Sequence, residues 1–228
     1  MGRFFGLKSF GNVVAMNSAQ GLSNTRSLLW QMEAYWRALP RRGHAVPRRS
    51  DVDPRGVEAV LRYAVILERV APRVARFRIA GQHMTDLTGM EVRGMPVTAL
   101  FSAASRDPMG DALARMFDTP SILRANLRGE RRFGGPALDG QMMLLPLCLE
   151  NGEVSRAMGA IVTNGGQQMG PQKLAAMDFE PSPVHDLLTE VEEEEAPVLQ
   201  AANEGFAEPP VANLSGERPH LRVVHSAD

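Results

Sequence analysis

The stretch FRIAGQHMTDLTGM, residues 77–90, changes its chemistry at Gly81. Ahead of that glycine, arginines alternate with apolar residues as on a half-buried strand, with Ala75, Phe77 and Ile79 on one face and Arg76 and Arg78 on the other. Behind it come polar residues, a short apolar pair and Gly89, which suits the left-handed turn that closes a short helix. The spacing predicts a strand that passes at once into a short helix, with Gly81 permitting the sharp exit.

Working outward, the upstream run YAVILERV is continuously apolar and predicts a first strand, joined to the second by a tight turn near Ala71-Pro72-Arg73. Before it, RRGHAVPRRSDVDPRGVEAVLRY is rich in arginine and broken twice by proline, the pattern of an extended connector with a short helix after Asp53-Pro54. The first regular element is SNTRSLLWQMEAYWRALP. Leu28, Met32, Tyr35, Trp36 and Leu39 recur there at helical spacing behind a capping Ser23 or Asn24, and Pro40 ends the run. Both tryptophans of the chain, Trp30 and Trp36, lie on this helix. Its apolar face is expected to pack on a sheet or on a second copy of itself.

Downstream, a loop leads through GMPVTALF to a firmer helix, capped by Asp107 with Pro108 at its first position and with Met109, Leu113, Met116 and Phe117 as its inward stripe. That helix should cross the sheet. Three further strands are expected near residues 121–128, 141–150 and 153–163, the last two joined by Asn151-Gly152, a turn pair whose residues tolerate positive φ. Pro146 within the fourth strand implies an edge, a bulge or a bend. From Asn164 the texture changes to a linker, NGGQQMGPQ, and then to SPVHDLLTEVEEEE, a short acidic helix capped by Ser182 with Pro183 at its start. Its glutamates sit where the helix dipole disfavours them, so helicity there should depend on a partner. The rest is rich in Pro, Ala and Glu and has the composition of a disordered tail, in which LRVV is the one candidate docking peptide. The expected organisation is a flexible arm at 1–22, one domain at 23–166, linker and acidic helix at 167–195, and a tail at 196–228.

The totals fit this division. Among 228 residues, positions 1–133 carry 21 Lys/Arg against 11 Asp/Glu, while 134–228 carry 4 against 15. A single cysteine, Cys148, excludes an internal disulfide and any cysteine-cluster metal site, which suits a reducing compartment. Glycines, Lys8 and Asn12 interrupt the first apolar run before a signal-peptide core can form, and no later run approaches a membrane span of about 20 apolar residues. Gly2 fits a myristoylation start, but Gly6 stands where Ser or Thr is required. A soluble, cytoplasmic protein is expected.

Helix, two strands, short helices, a crossing helix and three strands closed by an Asn-Gly hairpin resemble the element order of a PAS domain. The likeness extends to residues. Tyr35-Trp36, Val46-Pro47 through Ser50, Asp51, Asp53 and Pro54, then Phe77 to Gly81, and Thr88-Gly89, Glu91 and Arg93-Gly94 are similar to the pattern of single-domain PAS proteins of alphaproteobacteria. The resemblance covers residues 28–163 and is most specific in its first half. It implies an α+β fold: a five-stranded antiparallel sheet with short helices on one face, a flanking amino-terminal helix and a disordered carboxyl-terminal tail. It also implies a sensor or interaction module without a fused effector, and it transfers no catalytic or cofactor residue.

Candidate chemistry is sparse. Cys148 lies in the apolar strand LLPLCLE, where a thiol keeps an ordinary or raised pKa, and not on a helix as the resemblance to flavin photoreceptors would require. His83 invites a haem-ligand reading, but the likeness places such ligands on the crossing helix, which holds no histidine, so a surface or capping role is expected. His44, His185, His220 and His225 have no metal-ligand spacing. Asp51 and Asp53 suit turns and caps that anchor Arg48 or Arg49. Arg37, Arg41, Arg42, Arg48, Arg49, Arg55 and Arg62 form a basic cluster; a solvated face, or contact with the acidic segment at 192–195, is preferred to nucleic-acid or nucleotide binding because no recognition motif accompanies it. No enzyme constellation or phosphate loop is present in the sequence, no cofactor is evident, and no metal site is expected.

Two candidate sites remain. One is an interaction surface for a protein partner or a homodimer, drawn from Trp30, Tyr35, Trp36, Arg48 and Arg49. The other is a small-molecule pocket among Met84, Leu87, Phe101, Leu113, Met116 and Phe117, where flexible thioethers would adapt to a ligand. The first is the preferred reading.

Overall fold

Ala64–Ala71 (β1) and Val74–Ala80 (β2) pair antiparallel around a tight turn in which Arg73 takes φ 64°. The computed structural model describes residues 10–129, 138–164, 173–176 and 178–184. β2 leads into Gln82–Thr88 (α2), which Gly89 closes at φ 71°. A 3-10 turn at Val97–Leu100 then precedes the crossing helix. Ser121–Gly129 (β3), Asp139–Cys148 (β4) and Val154–Asn164 (β5) complete an antiparallel sheet in the order β2-β1-β5-β4-β3. The expected α+β class and helix-roofed sheet are observed.

The outer edge carries more than was expected. Leu174–Ala176 (β6) and Glu180–Pro183 (β7) both pair antiparallel with β3 and extend the sheet beyond five strands. Ser182 and Pro183, expected to start an acidic helix, lie instead in β7, where Ser182 pairs with Ile122. A proline is tolerated there because an edge strand needs to donate on one side only. The acidic run and the tail, at 185–228, lie outside the described residues.

Gly81 is required for a different reason than the sequence suggested. Its φ of −70° and ψ of 164° are open to any residue. A Cβ there, however, would lie 2.3 Å from the carbonyl oxygens of Leu61 and Arg62, because the strand exit runs directly against the start of β1. The amides of Gly81 and His83 donate to Ala64 and Arg62 carbonyls, fixing the exit at both ends.

Three local expectations are corrected. Ile79 is 52% exposed, because the ladder shifts between Ile66 and Leu67 and leaves Arg78 unopposed, so the inward alternation of β2 ends at Phe77. The crossing helix, Ala103–Asp118 (α3), starts after Ser102, which places Pro108 inside it at the cost of one backbone hydrogen bond; Met109, Leu113, Met116 and Phe117 are nonetheless buried. In the β4–β5 turn only Gly152 takes positive φ, at 84°, while Asn151 accepts from the Glu153 amide through its side chain.

The amino-terminal helix, Phe10–Ala38 (α1), runs back through Asn24 and Ser23 into the expected arm. A capping residue is only a local preference, and the proline-free segment before it contains good helix formers. The connector contains the short 3-10 turn Pro54–Val60, with Asp53 accepting from the Arg55 amide as its cap.

Two apolar cores result, one on each face of the sheet. The inner core joins Phe77, Met84, Phe101, Leu113, Met116, Leu123, Met142 and Leu144 beneath α2 and α3. The outer core joins Leu28, Met32 and Trp36 of α1 to Ile122, Met143, Leu145, Cys148 and Met158. Pro146 marks the end of the β3–β4 ladder, which begins pairing only at Leu123 and Leu144. The Trp36 indole donates to the Pro146 carbonyl at 2.9 Å.

Candidate functional site

The five residues expected on the interaction surface part company. Trp36 is fully buried under α1, so its ring serves the fold. Tyr35 pins the connector: its phenol donates to the Asp53 carbonyl at 2.9 Å and accepts from the Asp53 amide at 2.7 Å. Arg48 pairs with Asp51 at 3.3 Å and with Glu150 at 2.6 Å, clasping the connector to the β4–β5 turn. Arg49 is half-buried on the Arg49–Asp51 turn. Trp30 alone of the five stands out, 74% exposed.

Trp30 borders a cleft of about 260 Å³ between α1 and the outer side of the β3 edge. Arg26, Leu29 and Glu33 line the cleft from the helix, Arg124, Asn126, Gln141 and Met143 from β3 and β4, and Asp178 and Glu180 from the added edge. Arg26, Trp30, Glu33 and Arg37 follow one another at three- and four-residue steps and so share one side of the helix.

Glu33 ties this region together. One carboxylate oxygen accepts from Arg37 at 2.8 and 3.1 Å, the other from Arg124 at 2.8 Å, and Arg124 also donates to Ser182 of β7 at 3.1 Å. Burial pushes the Glu33 pKa up, but the hydrogen bonds and charges of Arg124 and Arg37 outweigh it and hold the carboxyl below its ordinary value. Beside it, the Gln141 amide donates to Asn126 at 2.9 Å, and Asn126 donates to Asp178 from its side chain at 3.2 Å and its backbone at 3.1 Å. Glu33, Arg124, Asp178 and Glu180 were missed in the sequence. The one available signal was Glu33 four residues before Arg37. The cross-strand partners depend on an edge with no strand-like periodicity.

The inner candidates do meet. Met84, Leu87, Phe101, Leu113, Met116 and Phe117 all belong to the inner core and are at most 5% exposed. His83 is half-buried and tied down, not a free surface or capping residue. Its Nε2 accepts from the Thr163 amide at 3.3 Å and lies 3.0 Å from the Thr163 hydroxyl, and its ring packs on Tyr63 at 4.8 Å. Burial pulls its pKa below the ordinary value; the Arg62 charge adds to this and Asp86 opposes it.

Cys148 is buried, its thiol directed at the Val46 carbonyl at 3.3 Å, and burial pushes its pKa up. Asp51 pairs with Arg42 and Arg48. Of the basic cluster, Arg37, Arg42, Arg48 and Arg62 form ion pairs with carboxylates of the domain, and Arg41 lies over the Trp36 ring and donates to the Ala45 carbonyl. Among the described residues Arg49 and Arg55 form no ion pair, no His, Cys, Asp and Glu cluster is arranged to hold a metal ion, and no helix is long and apolar enough to cross a membrane.

A helix-roofed antiparallel sheet with a flanking helix is the build of a PAS-like α+β domain. The PAS domain family matches residues 24–162, well over half of the sequence, and the chain belongs to that family. PAS domains typically serve sensing and signalling, not catalysis. A search of the curated proteins found no match. Among solved structures the chain is similar to that of an RNA-binding light-oxygen-voltage receptor, at 15% identity and a TM-score of 0.36, over 69% of this chain and 42% of that one. The chain thus spans less than half of that receptor's length, and the likeness carries no argument about function.

Proposed function

We propose that the chain is a cytoplasmic regulatory protein whose PAS domain works by protein–protein contact, through the outer side of α1 around Trp30, without catalytic activity of its own. One observation carries this reading. Trp30 holds its indole out in water beside a cleft, while Leu28, Leu29, Met32 and Trp36 of the same helix are buried. Exposed tryptophan beside a partly enclosed cleft is the composition of a binding hot spot. The test compares wild type with W30E for self-association by native mass spectrometry and for partner capture from lysate. Loss of either on substitution supports the reading. Retention of both at wild-type levels, or absence of both in wild type, removes it.

A second reading, small-molecule sensing, rests on the convergence of the six inner candidates beneath α2 and α3. A ligand there would reposition α3, and the sheet would pass the change to α1. Native and denatured masses of freshly purified protein decide this. A difference of a few hundred daltons supports the sensor; agreement leaves contact through α1. The basic cluster gives little support to nucleic-acid binding, because most of its guanidinium groups already face carboxylates.

A further inference from the structure

The cleft beside Trp30 carries charges of both signs that the domain leaves unpaired. Among the described residues, Arg26 on the helix wall forms no ion pair, and neither do Asp178 and Glu180 on the added edge. Asp178 accepts from the backbone and side-chain amides of Asn126, bonds that leave its charge uncompensated. Glu180 stands directly opposite Arg124 in the β3–β7 register, yet Arg124 donates to Glu33 and Ser182 instead. Those bonds use only part of the guanidinium fork, so donors remain on Arg124. Glu33 is 8% exposed although it lines the cleft, so part of the lining is withdrawn from water, where charges interact more strongly than at an open surface.

The mixture of signs selects the ligand. A simple cation would meet Arg26 and Arg124, and a simple anion would meet Glu33, Asp178 and Glu180. A molecule with opposite charges on groups attached to one carbon satisfies both sets. Leu29, Trp30 and Met143 add apolar surface to the same lining, and the volume of about 260 Å³ lies below the roughly 300–1,000 Å³ of drug-sized pockets. We propose that the cleft binds a free α-amino acid with an apolar side chain. Its ammonium donates to Asp178 and Glu180, its carboxylate accepts from Arg26 and Arg124, and its side chain packs on Leu29, Trp30 and Met143. This site lies on the opposite face of the sheet from the inner core, and it does not depend on α1 being a protein contact.

Isothermal titration calorimetry of the full chain tests this, with L-leucine, L-methionine and L-phenylalanine as probes. At least one is expected to bind. Blocked relatives of that ligand supply a control that leaves the protein unaltered: the amide lacks the carboxylate, the N-acetyl derivative lacks the ammonium, and each should bind at least about tenfold more weakly. R26Q and the double variant D178N/E180Q should each weaken the parent amino acid by about tenfold as well. The pairing of variant and ligand is the sharper readout. D178N/E180Q should leave the N-acetyl derivative as it was, and R26Q should leave the amide as it was, because each ligand already lacks the group that the variant no longer holds. All three substituted residues are exposed, and urea midpoints confirm that the fold survives. Absence of heat with all three amino acids, equal binding of parent and blocked ligands, or an affinity unmoved by both variants would each overturn the proposal. Ligand binding needs no partner protein, so its failure leaves the contact reading of α1 standing, and failure of that reading leaves this one standing.

Discussion

The two faces of the sheet are built from the same strands and do different work. On β4, Met142 and Leu144 join the inner core, while Met143 and Leu145 join the outer one. The inner core, under α2 and α3, gathers the fully buried Phe77, Met84, Phe101 and Met109. The outer face is covered by α1, yet a cleft remains open beside the β3 edge, where Trp30, Arg124, Asn126 and Gln141 meet. A closed apolar layer supplies stability without specificity, whereas an edge that mixes an exposed indole with fixed charges has the composition that recognition uses. Stability and recognition should therefore respond to different substitutions.

The largest effect is expected on the inner face. Phe77→Ala removes a fully buried ring from the inner core, and urea unfolding should show a loss of about 3–5 kcal/mol. A loss below about 1 kcal/mol would mean that the ring borders space instead of packed neighbours, which would favour the sensor reading over the contact reading. On the outer face, Trp36→Phe keeps most of the apolar bulk but deprives the Pro146 carbonyl of its donor, with an expected loss of about 1–3 kcal/mol in the same measurement. An unchanged midpoint would show that water replaces the indole there and that the cover of α1 is looser than its burial suggests.

The degree to which the sequence revealed each face follows the same division. Inner elements were legible because their signals are local: the apolar stripe of α3, the inward pair Ala75 and Phe77 of β2 and the Gly89 helix end each need only a few neighbouring residues, whereas the exposure of Ile79 depends on the register shift against β1. Gly81 was recognised as special, but its reason, two carbonyl oxygens about twenty residues upstream in sequence, is a tertiary fact. The outer edge was missed for that cause as well. β6 and β7 are short, lack alternation and contain two prolines, so only pairing with β3 makes them strands. Trp36 was grouped with Trp30 because both are tryptophans on one helix, although six residues of helix place them on different faces.

A smaller effect links the faces through His83, which ties α2 to β5. Its Nε2 accepts from the Thr163 amide, so protonation removes that bond, with Arg62 opposing the new charge and Asp86 favouring it. Because the folded pKa is lowered, the unfolded chain takes up the proton first. Stability from this group is complete above the unfolded value of about 6.5 and declines as pH falls toward the folded pKa. H83Q should flatten that part of the urea-midpoint profile while leaving the plateau near pH 8 within about 1 kcal/mol. An identical slope in wild type and H83Q would assign the acid response to other groups, such as Glu33, whose lowered pKa acts at more acidic pH.

The smallest expected change in stability is also the most informative about recognition. Trp30 is 74% exposed, and its truncation to alanine removes little buried surface, so the unfolding midpoint should move by no more than about 0.5 kcal/mol. Alanine is also the better helix former, which offsets part of any loss. Association should nevertheless collapse, because a side chain that contributes nothing to the fold can still dominate a contact. If W30A instead destabilises the monomer by more than about 1 kcal/mol, the indole closes its own cleft, and the contrast between a structural inner face and a recognising outer edge no longer holds. If stability and association both stay unchanged, the contrast survives but recognition belongs elsewhere on the outer surface, with the exposed Ile79 beside Arg78 as the next place to substitute.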